Sequence, residues 1–269
     1  MSAGSDPRRR EAASGRLPLP LVAHGLVKAY GSRTALAGVD LVLSRGEVAG
    51  VVGPNGSGKT TLLRVVAGLA RADRGRAVVC GAPAGSLEAR SSVAVVPDEP
   101  EGLDELTIAE LAALGRALYR VPEAPWRDRL AVLVRAFGLE ARIDARLGAL
   151  SRGLRRQASM IAAFAVDARL TLVDEATATL DPEASAALRA IIRANAARGK
   201  ATLLATQDLA FAERVCDCVI LLQDGAVVEV GAPRDLSERY GCERLEDAFL
   251  EAVGRGALLT EAQRELAAL

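Results

Sequence analysis

The stretch VAGVVGPNGSGKTTLL, residues 48–63, constrains the fold more than any other part of the chain. A short apolar run reads as a buried strand, a glycine-rich turn follows, and a helix then begins. The spacing G-x-x-x-x-G-K-[ST] is filled by Gly53, Gly58, Lys59 and Thr60. The glycines allow the backbone to turn at positive φ so that successive N–H groups converge on phosphate oxygens. The helix beginning near Lys59 points its positive dipole end at the same anion. Gly53, Pro54, Asn55, Gly56, Ser57, Gly58, Lys59, Thr60 and Thr61 are therefore the candidate phosphate contacts. Lys59 is expected to neutralise the β and γ phosphates of ATP, and the Thr60 hydroxyl to complete a Mg2+ shell.

Around this unit, from residue 21 onward, short β-branched runs alternate with helical stretches, as in an α/β domain with a largely parallel sheet. Candidate strands include 48–52, 92–96, 170–173, 201–205 and 219–222. Residues 106–166 carry helical periodicity without a convincing strand and read as an inserted helical subdomain. Residues 1–20, rich in Ser, Gly, Pro, Arg and Ala, read as a mobile tail, and 244–269 as a C-terminal helical extension.

Composition narrows the function classes. With 34 basic and 34 acidic residues the chain has no net charge, and aromatics make up 3%, which together argue against a nucleic-acid partner. The four cysteines lack zinc spacing and read as reduced thiols. No apolar run reaches the roughly 18 residues of a membrane span, and the arginines at 8–10 precede no apolar stretch, so neither a transmembrane helix nor a secretory signal is expected.

A phosphate loop alone does not separate kinases, GTPases and motor ATPases. In RLTLVDEAT an apolar strand ends in Asp174 and Glu175, which places two carboxylates at the carboxyl edge of a parallel sheet, where such folds bind ligands. Asp174 is expected to hold magnesium through water, and Glu175 to orient and polarise the attacking water for γ-phosphate hydrolysis.

The order of these motifs resembles the ATP-binding-cassette (ABC) family over about residues 21–254. Tyr30 sits where the family has the aromatic that stacks on adenine. LSRGLRRQ, residues 150–157, takes the place of the signature sequence LSGGQ just ahead of the carboxylate strand. ATLDP resembles the loop that carries Asp181 across a dimer interface, and LLATQDL resembles the switch strand and loop. The resemblance implies a P-loop NTPase fold: a RecA-like, mostly parallel sheet flanked by helices, an inserted helical signature subdomain near 100–166 and a small antiparallel β portion, all within 21–243. It further implies that Ser151 and Gly153 meet the phosphate of a nucleotide held by a second subunit. The active unit is then a head-to-tail pair with two ATP molecules between its members, driving a separate transmembrane permease at the cytoplasmic face of a bacterial membrane. The VPDEP loop and the LEDAFL stretch look most like exporters.

Three departures from the family pattern matter. Arg152 and Leu154 replace a glycine and a glutamine of the signature. Asp98 stands where the family has a magnesium-sensing glutamine, and a carboxylate can still ligate magnesium. Gln207 replaces the switch histidine; it can donate a hydrogen bond but carries neither proton nor charge. The single histidine, His24, falls in the first strand. ATP binding is thus expected to be normal and hydrolysis slow. Rival readings are a regulatory module that only binds ATP, a soluble ABC ATPase of DNA repair or translation, and a small-molecule P-loop kinase.

Overall fold

The computed structural model describes residues 17–98, 102–175, 177 and 179–254. Two sheets carry the fold. The first, in the order β2-β1-β4-β5, is antiparallel and built from β1 (Leu21–Tyr30), β2 (Arg33–Leu43), β4 (Arg74–Val79) and β5 (Ala82–Pro83). The second runs β10-β9-β3-β8-β7-β6, from β3 (Val48–Val52), β6 (Val93–Val96), β7 (Leu170–Asp174), β8 (Ala201–Thr206), β9 (Cys218–Gln223) and β10 (Ala226–Gly231). Its pairings are parallel except for the edge hairpin β9–β10. β3, β7 and β8 are buried at every residue, as strands covered on both faces must be.

The five strands read from alternation in the sequence all lie in this second sheet. The antiparallel sheet was harder to see because β1 is bulged: its register shifts between Ala23 and Leu26, and Gly25 there adopts φ +56°. His24 lies in β1, its Nδ1 3.5 Å from Asp40.

One face of the parallel sheet packs with the antiparallel sheet and with α1 (Lys59–Val66), through Leu21, Leu36, Val51, Leu62 and Leu203. The other face packs with α6 (Pro182–Ala197) and α7 (Leu209–Val215), and the same core runs on into the helices between β6 and β7. A short α2 (Leu87–Arg90) precedes β6. The inserted segment contributes α3 (Ile108–Tyr119), α4 (Glu123–Ala136) and α5 (Arg152–Ala165), with no strand among its described residues. Thr107 and Glu110 close a capping box at the start of α3, which satisfies two of its free N–H groups. α8 (Pro233–Arg239) and α9 (Leu245–Ala252) pack together at the C-terminal end, with Leu245 and Ala248 buried.

Residues 17–20, assigned by composition to the tail, lead into β1; Pro20 is buried and its carbonyl accepts the Cys80 N–H at 3.1 Å. The remainder of the expected tail, 1–16, and of the C-terminal extension, 255–269, lies outside the described residues. Among those described, no helix is long and apolar enough to cross a membrane, and the four cysteines are free thiols.

Candidate functional site

β3 is the central strand of the parallel sheet, between β8 and β9, so the loop that leaves it starts from a fixed point. Gly53 and Gly58 are required sterically: a Cβ at Gly53 would collide with the Leu222 carbonyl, and one at Gly58, where φ is +110°, with the Ala35 carbonyl. The loop is pinned from outside as well. Arg33 donates to the Gly56 carbonyl at 2.7 Å, and the Gly225 N–H donates to the Ser57 carbonyl at 2.9 Å. Pro54, Asn55 and Gly56 form the exposed crest, while Ser57, Gly58 and Lys59 are buried beneath it.

As the first residues of α1, Lys59, Thr60 and Thr61 offer N–H groups that no earlier helical carbonyl can accept. The Lys59 ammonium, 5% exposed, folds back over the loop and donates to the Gly53 and Pro54 carbonyls at 2.9 and 3.2 Å. It also lies 3.2 Å from Glu175 Oε1. The Ser57 hydroxyl is buried without a hydrogen-bond partner. A buried cation, free helix-start N–H groups and an unpartnered hydroxyl are donors that an entering polyphosphate would satisfy.

The carboxylates arrive from β7. Asp174 closes the strand, and its Oδ1 accepts from the Thr60 hydroxyl at 3.1 Å. Glu175 then turns to φ +45°, a conformation few non-glycine residues adopt, while its N–H stays bonded to Ala205. The turn directs its carboxylate back to Lys59 and to the Gln207 N–H, which donates to Oε2 at 3.3 Å. Backbone strain held by surrounding bonds is a common feature of reaction centres.

Burial pushes the Asp174 carboxyl above its ordinary pKa; the charges of Asp98 and Glu175 add to the rise, and Thr60 and Arg64 oppose it. The folded form therefore binds that proton more tightly than the unfolded chain. The ionised group weakens the fold above the raised value, and the penalty is relieved as pH falls through it. Asp174→Asn should raise the melting temperature of the nucleotide-free protein at neutral pH. It should also flatten the pH dependence just above the ordinary carboxylate range. Thermal melting across a pH series decides it, and an unchanged or lower midpoint would count against a penalised charge.

A cleft of about 350 Å³ gathers Tyr30, Arg33, Asn55, Gly56, Lys59, Thr60, Thr61, Asp98 and Glu175. Tyr30 is half exposed at its mouth, with the Lys28 ammonium 5.2 Å from the ring centre. Thr60, Asp98 and Asp174 also line a second cleft that adjoins the first at Thr60 and Asp98. Their oxygen donors, one hydroxyl and two carboxylates, fit a hard divalent cation that keeps several waters. Gln207 follows β8 with its side chain exposed.

The other expected residues sit elsewhere. Ser151 caps α5, accepting the Leu154 N–H at 3.3 Å, and Asp181 caps α6, accepting the Ala184 N–H at 2.7 Å. Neither lines the phosphate cleft of its own chain. Gly153 has a purpose inside the chain too, since a Cβ there would stand 2.8 Å from the Thr179 carbonyl oxygen. Two site residues escaped the sequence reading, Arg33 and Arg156. Arg156, buried at 3% exposure, pairs with Asp98. Its only signal in the sequence was the basic run in LSRGLRRQ, and such runs ordinarily face solvent.

The model of the ABC transporter family matches residues 36–178. The chain is 34% identical over 229 residues to the Nod factor export ATP-binding protein I of Ralstonia nicotianae (strain ATCC BAA-1114 / GMI1000), covering 84% of this chain and 71% of that one. It is likewise 34% identical over 226 residues to the protein of the same name from Rhizobium sp. (strain N33), covering 82% and 74%. A solved structure of an ATP-binding subunit of an ABC transporter superposes with a TM-score of 0.82 at 31% identity, covering 88% of this chain and all of that one. The phosphate loop on β3, the carboxylates on β7 and these similarities together place the chain in the ABC transporter family, as one of its ATP-binding ATPase subunits.

Proposed function

We propose that this chain powers an export system as the ATP-binding subunit of a nucleotide-sandwich pair coupled to a separate permease. In each half, Tyr30 stacks on the adenine and residues 53–61 hold the phosphates. Lys59 turns from Glu175 and the loop carbonyls to the β and γ phosphates. Thr60, Asp174 and Asp98 hold Mg2+, which when bound would screen the phosphate charge. Glu175 orients the attacking water and accepts its proton. Ser151, exposed at the start of α5, and the half-buried Gly153, neither of which lines its own cleft, complete the site of the opposite subunit, with Asp181 crossing the interface. The names of the relatives point to export, and coupling to a separate permease would put the chain's work at the cytoplasmic face of a bacterial membrane.

One observation carries the coupling. An apolar groove of about 420 Å³, walled by Leu103, Leu111, Leu114, Leu118, Ala162 and Val166, shares Val95 and Pro97 with the cleft that holds Thr60, Asp98 and Asp174. A permease segment seated in this groove would touch the strand end and loop that carry the metal edge, so closure of the ATP site has a short mechanical path to it. Leu118 is 71% exposed at the rim, a large apolar surface awaiting a partner. Leu118→Glu should abolish recovery of the chain with its permease from detergent-solubilised membranes while leaving ATP affinity within about twofold of wild type. Undiminished co-purification would remove the groove from the account.

A further inference from the structure

We propose that Arg156 is a positioning residue for the metal edge of the phosphate site, holding the Asp98 carboxylate where Mg2+ at Thr60 and Asp174 can use it. The inference rests on Asp98 being a metal ligand, as argued above. Arg156 lies in the first turns of α5 and is almost wholly buried, yet it belongs to no apolar layer. Its guanidinium pairs with Asp98 Oδ1, donates to the Asp174 carbonyl at 3.3 Å and reaches the Thr179 hydroxyl at 3.4 Å. One side chain thus ties together the signature helix, the Asp98 loop, the end of β7 and the segment leading to Asp181.

As a device for stability alone this arrangement is poor. The Arg156 Nε is buried with no hydrogen-bond partner, and a buried ion pair is often matched or bettered by apolar side chains of similar size. As a support for a ligand it makes sense. One carboxylate oxygen is taken by the guanidinium, and the Asp98 side chain remains 56% exposed to the two clefts that also hold Thr60. Outer partners of this kind fix the direction of metal-binding carboxylates, and their loss commonly costs about 10- to 100-fold in metal affinity. The guanidinium also offsets the mutual repulsion of Asp98 and Asp174. A neutral amide at position 98 would need no such counter-charge, so Asp98 and Arg156 form one unit.

The test is binding of a fluorescent N-methylanthraniloyl ATP to the full chain, in excess Mg2+ and in EDTA; the ratio of the two affinities reads what the metal contributes. Asp98→Asn and Arg156→Gln should each reduce that ratio about tenfold, with affinity in EDTA unchanged within about twofold. The double variant should lose no more than either single one. Equal weakening of Arg156→Gln in Mg2+ and EDTA marks a merely structural role and overturns the proposal, as do additive losses in the double variant. An undiminished ratio in Asp98→Asn takes Asp98 off the metal, and then the earlier reading of that residue fails and this one with it. Where Arg156→Gln does not fold, Arg156→Lys carries the test. A point charge cannot serve Asp98, the Asp174 carbonyl and Thr179 together, so the ratio should still fall severalfold, and an unchanged ratio overturns the proposal.

Discussion

Glu175→Gln is expected to lower steady-state ATP turnover by about 100- to 10,000-fold while leaving ATP bound. The substitution keeps the shape of the side chain and an oxygen able to accept the Gln207 N–H that Glu175 Oε2 now accepts at 3.3 Å. What it removes is the negative charge that can take a proton from water. It also removes the carboxylate that holds the Lys59 ammonium at 3.2 Å in the nucleotide-free protein. Lys59 then has less to give up when phosphate arrives, so ATP affinity should be equal or higher. With binding intact and cleavage stopped, the variant should run as an ATP-dependent dimer in gel filtration with Mg2+, and as a monomer without nucleotide. A variant that turns over as fast as wild type would show that Glu175 has no part in activating water. If wild type hydrolysed nothing at all, the substitution would change little, and the chain would belong with the regulatory modules.

Gln207→His is expected to act in the opposite direction, raising turnover by about 10- to 100-fold with ATP affinity unchanged within about twofold. Position 207 follows β8 at the edge of the site, tied by its own N–H to Glu175, so its side chain starts from a base fixed beside that carboxylate. The base is stiffened further: Asp208 caps α7 by accepting the Phe211 N–H at 2.8 Å, and its own N–H donates to the Thr206 hydroxyl at 2.9 Å. A histidine on that base could carry a proton or a positive charge toward the γ-phosphate, and a glutamine offers only a neutral amide. Removing one well-placed transition-state donor in other enzymes costs about 100- to 1000-fold. The gain is set lower here because the other residues of the site were not selected around a histidine. Steady-state phosphate release by the two purified proteins measures it.

The nucleotide half of the site was legible because its residues are local in sequence and their types are dictated by chemistry. Gly53 to Thr61 occupy one strand-to-helix turn, and Asp174 with Glu175 end one fully buried strand. Parallel strands covered on both faces declare themselves as apolar runs, which is why the five strands read from sequence match this sheet to within a residue or so at each end. The antiparallel sheet, expected from the family resemblance and present, did not declare itself by alternation because of the bulges at Ala23 to Ala29. The Asp98–Arg156 pair could not be seen, since 58 residues separate its members and a basic residue in a helix ordinarily faces solvent. Arg33 was missed for a similar reason, because its contact with Gly56 depends on how two sheets meet rather than on any spacing. The packing of Gly153 against Thr179 likewise depends on tertiary approach, so the sequence suggested only its role toward phosphate.

We infer that this chain binds ATP normally while its own site cleaves it slowly. A single-turnover experiment with pre-bound γ-labelled ATP, wild type beside Gln207→His, separates binding from cleavage. Equal ATP occupancy is expected in both proteins before Mg2+ is added, and cleavage in the histidine variant faster by about tenfold or more. Equal cleavage rates at equal occupancy would contradict it.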